Sequence, residues 1–233
     1  MQGLGQEGTR QFHSGAGEVR RPGRFAGAVR RIRFKITAAR LPANNGSMPD
    51  PLPPWPSTAP SCGRVRLRSV CESDAGMAMA LAEDPYVSAT GTLPHRADRD
   101  EARAWVKRQQ HRHSEGRGFS FTIEDVGARV PVGHCGLWLS HLADGYASAG
   151  YAIAPAFRRN GFAAEALTAL TGFAWSLAGL NRIDLFIEPW NAGSIRTAER
   201  SGYIRSGFRS GYQLAGGGQR DMLVFSAARS GGP

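Results

Sequence analysis

Residues 151–177 limit what this chain can become. They read as a short apolar strand closed by Pro155, a basic loop with one glycine (Arg158-Arg159-Asn160-Gly161), and an alanine-rich helix. The first N–H groups of a helix have no intrahelical partner, and the helix dipole adds partial positive charge at that end. A strand that turns through a basic loop into such a helix is an anion-binding device. Gly161 lets the backbone turn sharply and approach a ligand, and the fitting ligand is a phosphate or pyrophosphate. The plain alternative is a structural connection whose arginines are solvated. The loop is shorter than a P-loop and lacks both its Gly-Lys-Ser/Thr ending and a G-x-G-x-x-G pattern. Ala163, Leu167, Leu170, Ala174 and Leu177, widened by Phe173, form one apolar stripe along the helix.

The pattern on either side is mixed α/β. Residues 65–70 alternate with period two and predict a first strand. Glu72-Ser73-Asp74 opens a helix to about residue 83, with Ser73 or Asp74 as N-cap. Residues 98–111 predict a second helix with Ala102, Trp105 and Val106 on its apolar face. Strands follow over 119–123, 130–139 and 147–154. After the central helix come a strongly apolar strand (182–188), a short helix (191–201) and a hairpin (203–212 with 222–227) around the glycines 216–218. The order β–α–α–β–β–β–α–β–α–β–β by itself says only mixed α/β.

Charge and composition divide the chain. Residues 1–47 hold nine basic and two acidic side chains, net +7 (nine minus two), of the total +10, leaving +3 for the rest. Residues 1–63 are Gly- and Arg-rich, then Pro-rich, and cannot bury enough surface to offset ordering entropy. They are expected to be a disordered extension, followed by a folded domain over 64–228 and a tail over 229–233. Met48 offers a second start, which would make the segment before it spurious; an inert linker and an electrostatic arm for RNA are the other readings. No apolar run approaches the ~20 residues of a membrane span, and no signal-peptide core is visible. Three cysteines, Cys62, Cys71 and Cys135, contain no C-x-x-C pair, which favours a reducing, cytoplasmic setting. His111 and His113 are expected to be a solvated helix end, and His134 and Cys135 point to opposite faces of a strand, so no metal site is expected.

Two motifs carry a family resemblance. Arg158-x-x-Gly161-x-Ala163 resembles the acetyl-CoA signature Q/R-x-x-G-x-G/A of the GNAT superfamily of N-acetyltransferases. The longer run 157–167, with Glu188-Pro189-Trp190-Asn191-Ala192-Gly193-Ser194-Ile195 and Ser201-Gly202-Tyr203, is similar to its ribosomal-protein N-terminal acetyltransferase (RimJ/RimL-like) branch. The resemblance covers about residues 64–227. It implies a GNAT fold, a central, mostly antiparallel sheet with two splayed strands flanked by helices.

The resemblance also implies direct transfer of acetyl from acetyl-CoA to a primary amine, with no covalent enzyme intermediate and no metal. Arg158, Arg159, Asn160, Gly161, Phe162 and Ala163 would hold the pyrophosphate. The N–H groups near Ile153 and Ala154 would take the pantetheine arm and the thioester oxygen. Asn191 would bind a pantetheine amide, or simply cap its helix. The tyrosine acid used by many relatives falls here on Ala198. Ser194 is the substitute, as acid or water holder, and Glu188 is the candidate base, ahead of Glu124 and Asp184, with a water chain as the alternative. The expected acceptor is the N-terminal amine of a (ribosomal) protein or a small-molecule amine such as an antibiotic or amino-acid derivative. A non-catalytic acyl-CoA-binding module with a basic RNA-docking arm is the reading from another class. A monomer or homodimer, with no membrane partner, completes the expectation.

Overall fold

The alternation seen in sequence becomes one eight-stranded sheet. The computed structural model describes residues 52–215 and 217–229. The chain divides after Ser47, and all described residues belong to the second unit. In chain order the strands are β1 (Ser61–Cys62), β2 (Val65–Ser69), β3 (Gly118–Asp125), β4 (Val130–Trp138), β5 (Tyr146–Ile153), β6 (Arg182–Ile187), β7 (Ile204–Ala215) and β8 (Gly218–Ala228). The helices are α1 (Ala75–Ala82), α2 (Pro85–Thr90), α3 (Arg99–His111), α4 (Phe162–Ala174) and α5 (Ala192–Arg200). The strands lie in the order β1-β2-β3-β4-β5-β6-β8-β7, and every pair is antiparallel except β5 with β6.

Side-chain alternation assigns the two faces. Phe119, Phe121 and Ile123 of β3 and Cys135 and Leu137 of β4 join the core that includes Leu167, Leu170 and Phe173 of α4. The intervening residues, Ser120, Thr122 and His134, are buried on the opposite face, toward α1 and α3. The predicted separation of His134 from Cys135 is therefore present. Burial pushes the Cys135 thiol well above its usual range, as expected for a packed thiol away from charge. The sheet is kinked at one point: Ile123 pairs with Gly133 but Glu124 with Pro131, so Val132 is an extra residue in β4. Such a bulge bends the strand and redirects its pairing groups.

Three expectations are corrected. First, the expected disorder of 1–63 fails for its last part. Trp55 stands edge-on to Phe119 (5.4 Å) and Phe121 (4.9 Å), and His113 Nε2–H donates to the Pro53 carbonyl at 2.8 Å. Together with β1, this closes the open edge of the core beside α4. One large aromatic ring anchors a segment whose average composition is poor in core formers. The rest of the expected disorder, residues 1–51, lies outside the described residues. Second, His113 is not a solvated helix end, because it holds this segment. Third, Asp74 is the N-cap residue of α1, one of the two expected, but its side chain makes no cap hydrogen bond. Its carboxylate is buried and accepts from Arg68 (2.9 and 2.6 Å), the Cys71 N–H (2.9 Å) and Thr122 Oγ1 (2.7 Å). The short helix α2 was not anticipated, although Asp84-Pro85 is an N-cap followed by a first-turn proline.

Trp55→Ala should lower stability by about 2 kcal/mol, the scale for truncating a partly buried aromatic ring. Urea unfolding of the full chain would measure it. No change in midpoint would mean that residues 52–60 do not belong to the folded unit.

Candidate active site

The site is built where the one parallel contact fails. β5 and β6 pair over three positions only: Tyr146 with Arg182, Ala147 with Ile183 and Ser148 with Asp184. Beyond Ser148 the strands part. β5 stays paired with β4 up to Ile153, and β6 with β8 up to Ile187. The closed end is fastened. Gly145, in a left-handed conformation (φ 78°), offers its carbonyl to the N–H groups of Asn181 (2.8 Å) and Arg182 (3.2 Å). The Arg182 guanidinium lies over the Tyr146 ring at 4.6 Å and binds Asp184. The open end is a cleft of about 1350 Å³.

Strand alternation decides which backbone groups face the cleft. Ala154 N–H donates to the Val132 carbonyl at 3.0 Å, so Ala154 points to β4. Successive residues of a strand present their N–H and C=O to opposite edges. Tyr151 and Ile153 therefore turn theirs toward the cleft. Ile153 remains a candidate donor to a bound ligand, whereas Ala154, predicted beside it, is already paired by the bulge.

The loop after β5 leads into α4 as predicted, and several of its side chains are engaged by the protein itself. The first backbone donations in α4 come from Ala164 and Glu165 to the Gly161 carbonyl. The N–H groups of residues 159–163, including Phe162 and Ala163, donate to no protein acceptor among the described residues. Gly161 (φ 86°) and Arg159 (φ 64°) both take the left-handed backbone that the turn demands. Arg158 does not project freely: its Nε donates to the Ile153 carbonyl at 3.0 Å, and it forms an ion pair with Asp84 at the start of α2. Asn160 Nδ2 donates to the Phe157 and Arg158 carbonyls, bracing the loop. Arg64 donates to the Asn160 carbonyl, and its own N–H is accepted by Glu165 at 2.7 Å. Arg158 and Asn160 thus shape the loop, whereas the N–H groups of 159–163 have no acceptor among the described residues.

The residues of the second motif sit on the other arm. Asn191 caps α5, its Oδ1 accepting from Ser194 N–H at 3.0 Å. Asn191, Ser194, Thr197 and Tyr151 line the cleft. The Tyr151 hydroxyl reaches across to donate to the Ser194 carbonyl at 3.4 Å, and burial raises its pKa. Ala198 is fully buried, so no side chain at that position faces a ligand. Glu188 is 5% exposed and does not line the cleft; its carboxylate accepts from Trp190 Nε1 at 2.6 Å. Neither Glu124, bound by Arg66, nor Asp184, bound by Arg182 and Ser226, opens onto it. Sequence reading missed Tyr86 of α2, which lines the cleft edge-on to Trp190 at 5.0 Å. Burial, chiefly, raises the pKa of its hydroxyl. It also left aside His134, which lines the cleft against Trp105. Among the described residues no group of His, Cys, Asp or Glu could hold a metal ion, and no helix is long and apolar enough to cross a membrane.

The model of the GNAT acetyltransferase domain matches residues 64–204. The chain belongs to this family and is an acetyltransferase. It is 27% identical over 163 residues to the uncharacterized N-acetyltransferase p20 of Bacillus licheniformis, an alignment covering 70% of this chain and 92% of that protein. Its fold is similar to that of Mycobacterium smegmatis RimJ in complex with CoA-disulfide (TM-score 0.64, 22% identity, 75% of this chain and 88% of that one). It is also similar to that of a putative ribosomal-protein-serine acetyltransferase from Vibrio cholerae (TM-score 0.61, 24% identity, 75% and 99%).

Burial, with Arg112 nearby, pushes the His134 pKa down to about 3. An unfolded histidine titrates near 6.5. Between these values the unfolded chain binds a proton that the folded chain refuses. Stability is therefore complete above about pH 6.5 and falls by about 1.4 kcal/mol per pH unit on acidification toward pH 3. His134→Gln should remove this part of the slope in urea titrations run from pH 7 to 5. An identical slope in the variant would show that His134 is protonated in the fold.

Proposed function

We propose that the chain transfers the acetyl group of acetyl-CoA directly to a primary amine, and that the N-terminal amine of a protein is the acceptor. The observation that carries the transfer reading is the three-pair contact between β5 and β6, which opens a backbone-lined cleft directly before a loop of unpartnered N–H groups. The protein acceptor is supported by the resemblance of the second motif to the RimJ/RimL-like branch and by the similarity of the fold to Mycobacterium smegmatis RimJ and to the Vibrio cholerae protein. A small-molecule amine is the second acceptor reading, favoured by the size of the cleft, about 1350 Å³.

The N–H groups of 159–163, with Arg159, receive the pyrophosphate of acetyl-CoA. The pantetheine lies between β5 and β6 like an added strand. The amine nitrogen attacks the thioester carbonyl carbon, and the negative charge that develops on oxygen is met by the cleft-facing N–H of Ile153. The C–S bond then breaks and the nitrogen loses a proton. The Glu188 carboxylate is taken up by Trp190 Nε1 beside the Tyr86 hydroxyl, and this proton leaves through cleft water. The CoA thiolate takes a proton relayed by a water held at the Ser194 hydroxyl. Asn191 acts by capping α5, which sets the position of Ser194.

Calorimetry with acetyl-CoA tests the cradle. Gly161→Asp puts a carboxylate and a left-handed strain where the pyrophosphate sits, and should weaken binding at least about tenfold, ~1.4 kcal/mol, with the fold checked by thermal melting. Equal affinity in a folded variant would remove the loop from the site. Ser194→Ala should leave acetyl-CoA affinity intact and lower kcat about 10- to 100-fold, read as CoA release with an N-terminal peptide. An unchanged kcat would return the proton to bulk water alone.

A further inference from the structure

The face of the cleft toward α3 holds a buried charge that no carboxylate pairs among the described residues. Arg112, just after α3, is 9% exposed and lines the cleft with Gln109, His134 and Trp138. Its guanidinium lies over the Trp138 ring at 4.6 Å. Nη2 donates to Gln109 Oε1 at 2.6 Å, and Nη1 is buried with no acceptor. The strands beneath are bare. Gly136 and Gly150 are partners across β4 and β5; a Cβ on Gly136 would meet Nη1 at 2.8 Å, and one on Gly150 would meet Trp138 at 3.2 Å. Only two glycines leave room for the stacked pair.

The groups that fix Arg112 are all neutral. Gln109 Oε1 accepts from both Arg112 and Ser120 Oγ (3.0 Å). Ser120 has spent its proton, so it accepts from His134 Nε2–H at 3.2 Å. Nearby charges are engaged elsewhere. Arg117 pairs with Glu115, Arg108 donates to the Thr92 carbonyl, and Asp84, the carboxylate lining the cleft, pairs with Arg158. Burial, with Arg117 adding to it and Glu115 opposing it, lowers the Arg112 pKa to about 10, which leaves it charged at neutral pH. A buried cation is stable beside an anion; among the described residues no carboxylate pairs with Arg112, and Glu115, whose charge acts on it, is held by Arg117.

We propose that the acceptor amine carries an anionic group, a carboxylate or a phosphate, that seats on the Arg112 guanidinium over Trp138. The inference rests on the cleft being the transfer site, and it names the acceptor class of that site. Gly150 precedes Ile153 by three residues, roughly 10 Å along a strand. The anionic group therefore belongs on the same amino acid as the reacting amine or on the next residue of a peptide. Guanidinium suits either anion through paired N–H donors.

The test uses the full chain and matched acceptors, all as C-terminal amides so that one anionic group differs within a pair. The pairs are Ser-Asp-Ala-amide with Ser-Asn-Ala-amide, aspartic acid α-amide with asparagine amide, and phosphoserine amide with serine amide. CoA release is read for wild type, Arg112→Gln and Arg112→Lys, beside calorimetry with acetyl-CoA and thermal melting. In wild type, kcat/KM should favour the anionic member of at least one pair by tenfold or more, and that pair tells carboxylate from phosphate. The preference should fall below twofold in Arg112→Gln and return in part in Arg112→Lys, with acetyl-CoA affinity the same in all three. The wild-type comparison stands even if a variant does not fold. Absence of acetyl-CoA binding by wild type would sink the transfer reading and this inference with it. Binding together with equal rates within every pair, preference for the neutral members, or no acetylation of any anionic member would overturn the inference alone. A preference that persists in folded Arg112→Gln would overturn the role of Arg112.

Discussion

Everything functional in this molecule depends on a parallel pairing that stops after three residues. A sheet normally gains by continuing its ladder, since each unpaired buried N–H or C=O carries a desolvation cost. Here β5 and β6 are fastened at Gly145, Asn181 and Arg182 and then follow different neighbours. β4 carries β5 away, and β8 carries β6. The bulge at Val132 adds to this by taking the Ala154 N–H, which ends the ladder beside Pro155. The edge groups of Tyr151 and the N–H of Ile153 are left facing a gap, and a ligand with amide groups of its own can complete what the sheet leaves unpaired.

The basic loop works with this gap as one piece. Arg158 ties the end of β5 to α2 through the Ile153 carbonyl and Asp84. A guanidinium that looks, in sequence, like a phosphate ligand is thereby a brace. Left-handed backbone at Arg159 and Gly161 then aims the free N–H groups outward. Preorganisation of this kind matters because backbone donors held in place need no reorganisation when charge arrives.

Much of this was legible in the sequence. Period-two runs and the apolar stripe of the central helix located most of the strands and α4, because both patterns follow from burying one face. The two motifs located the loop and the first turn of α5. What was not legible depends on contacts between distant residues. Trp55 lies in a Pro-rich stretch whose average composition argues against a core, yet one ring against Phe119 and Phe121 is enough to hold it. Asp74 looks like a helix cap, but Arg68 and Thr122, far apart in sequence, claim it. Glu188 has the right address at a strand end, but its contacts with the Trp190 indole and the Tyr86 hydroxyl were not legible. Arg112 carries no signal in sequence at all, since its meaning comes from burial without a carboxylate to pair it among the described residues.

The central claim is that alternate amides of β5 are kept free for the cosubstrate. Amide hydrogen exchange, followed residue by residue with and without acetyl-CoA, tests it most directly. The account predicts that Tyr151 and Ile153 exchange quickly in the free protein and become protected when acetyl-CoA binds, while Ala152 and Ala154 are protected in both states. Slow exchange at Ile153 in the free protein, or no change there at saturating acetyl-CoA, would contradict it.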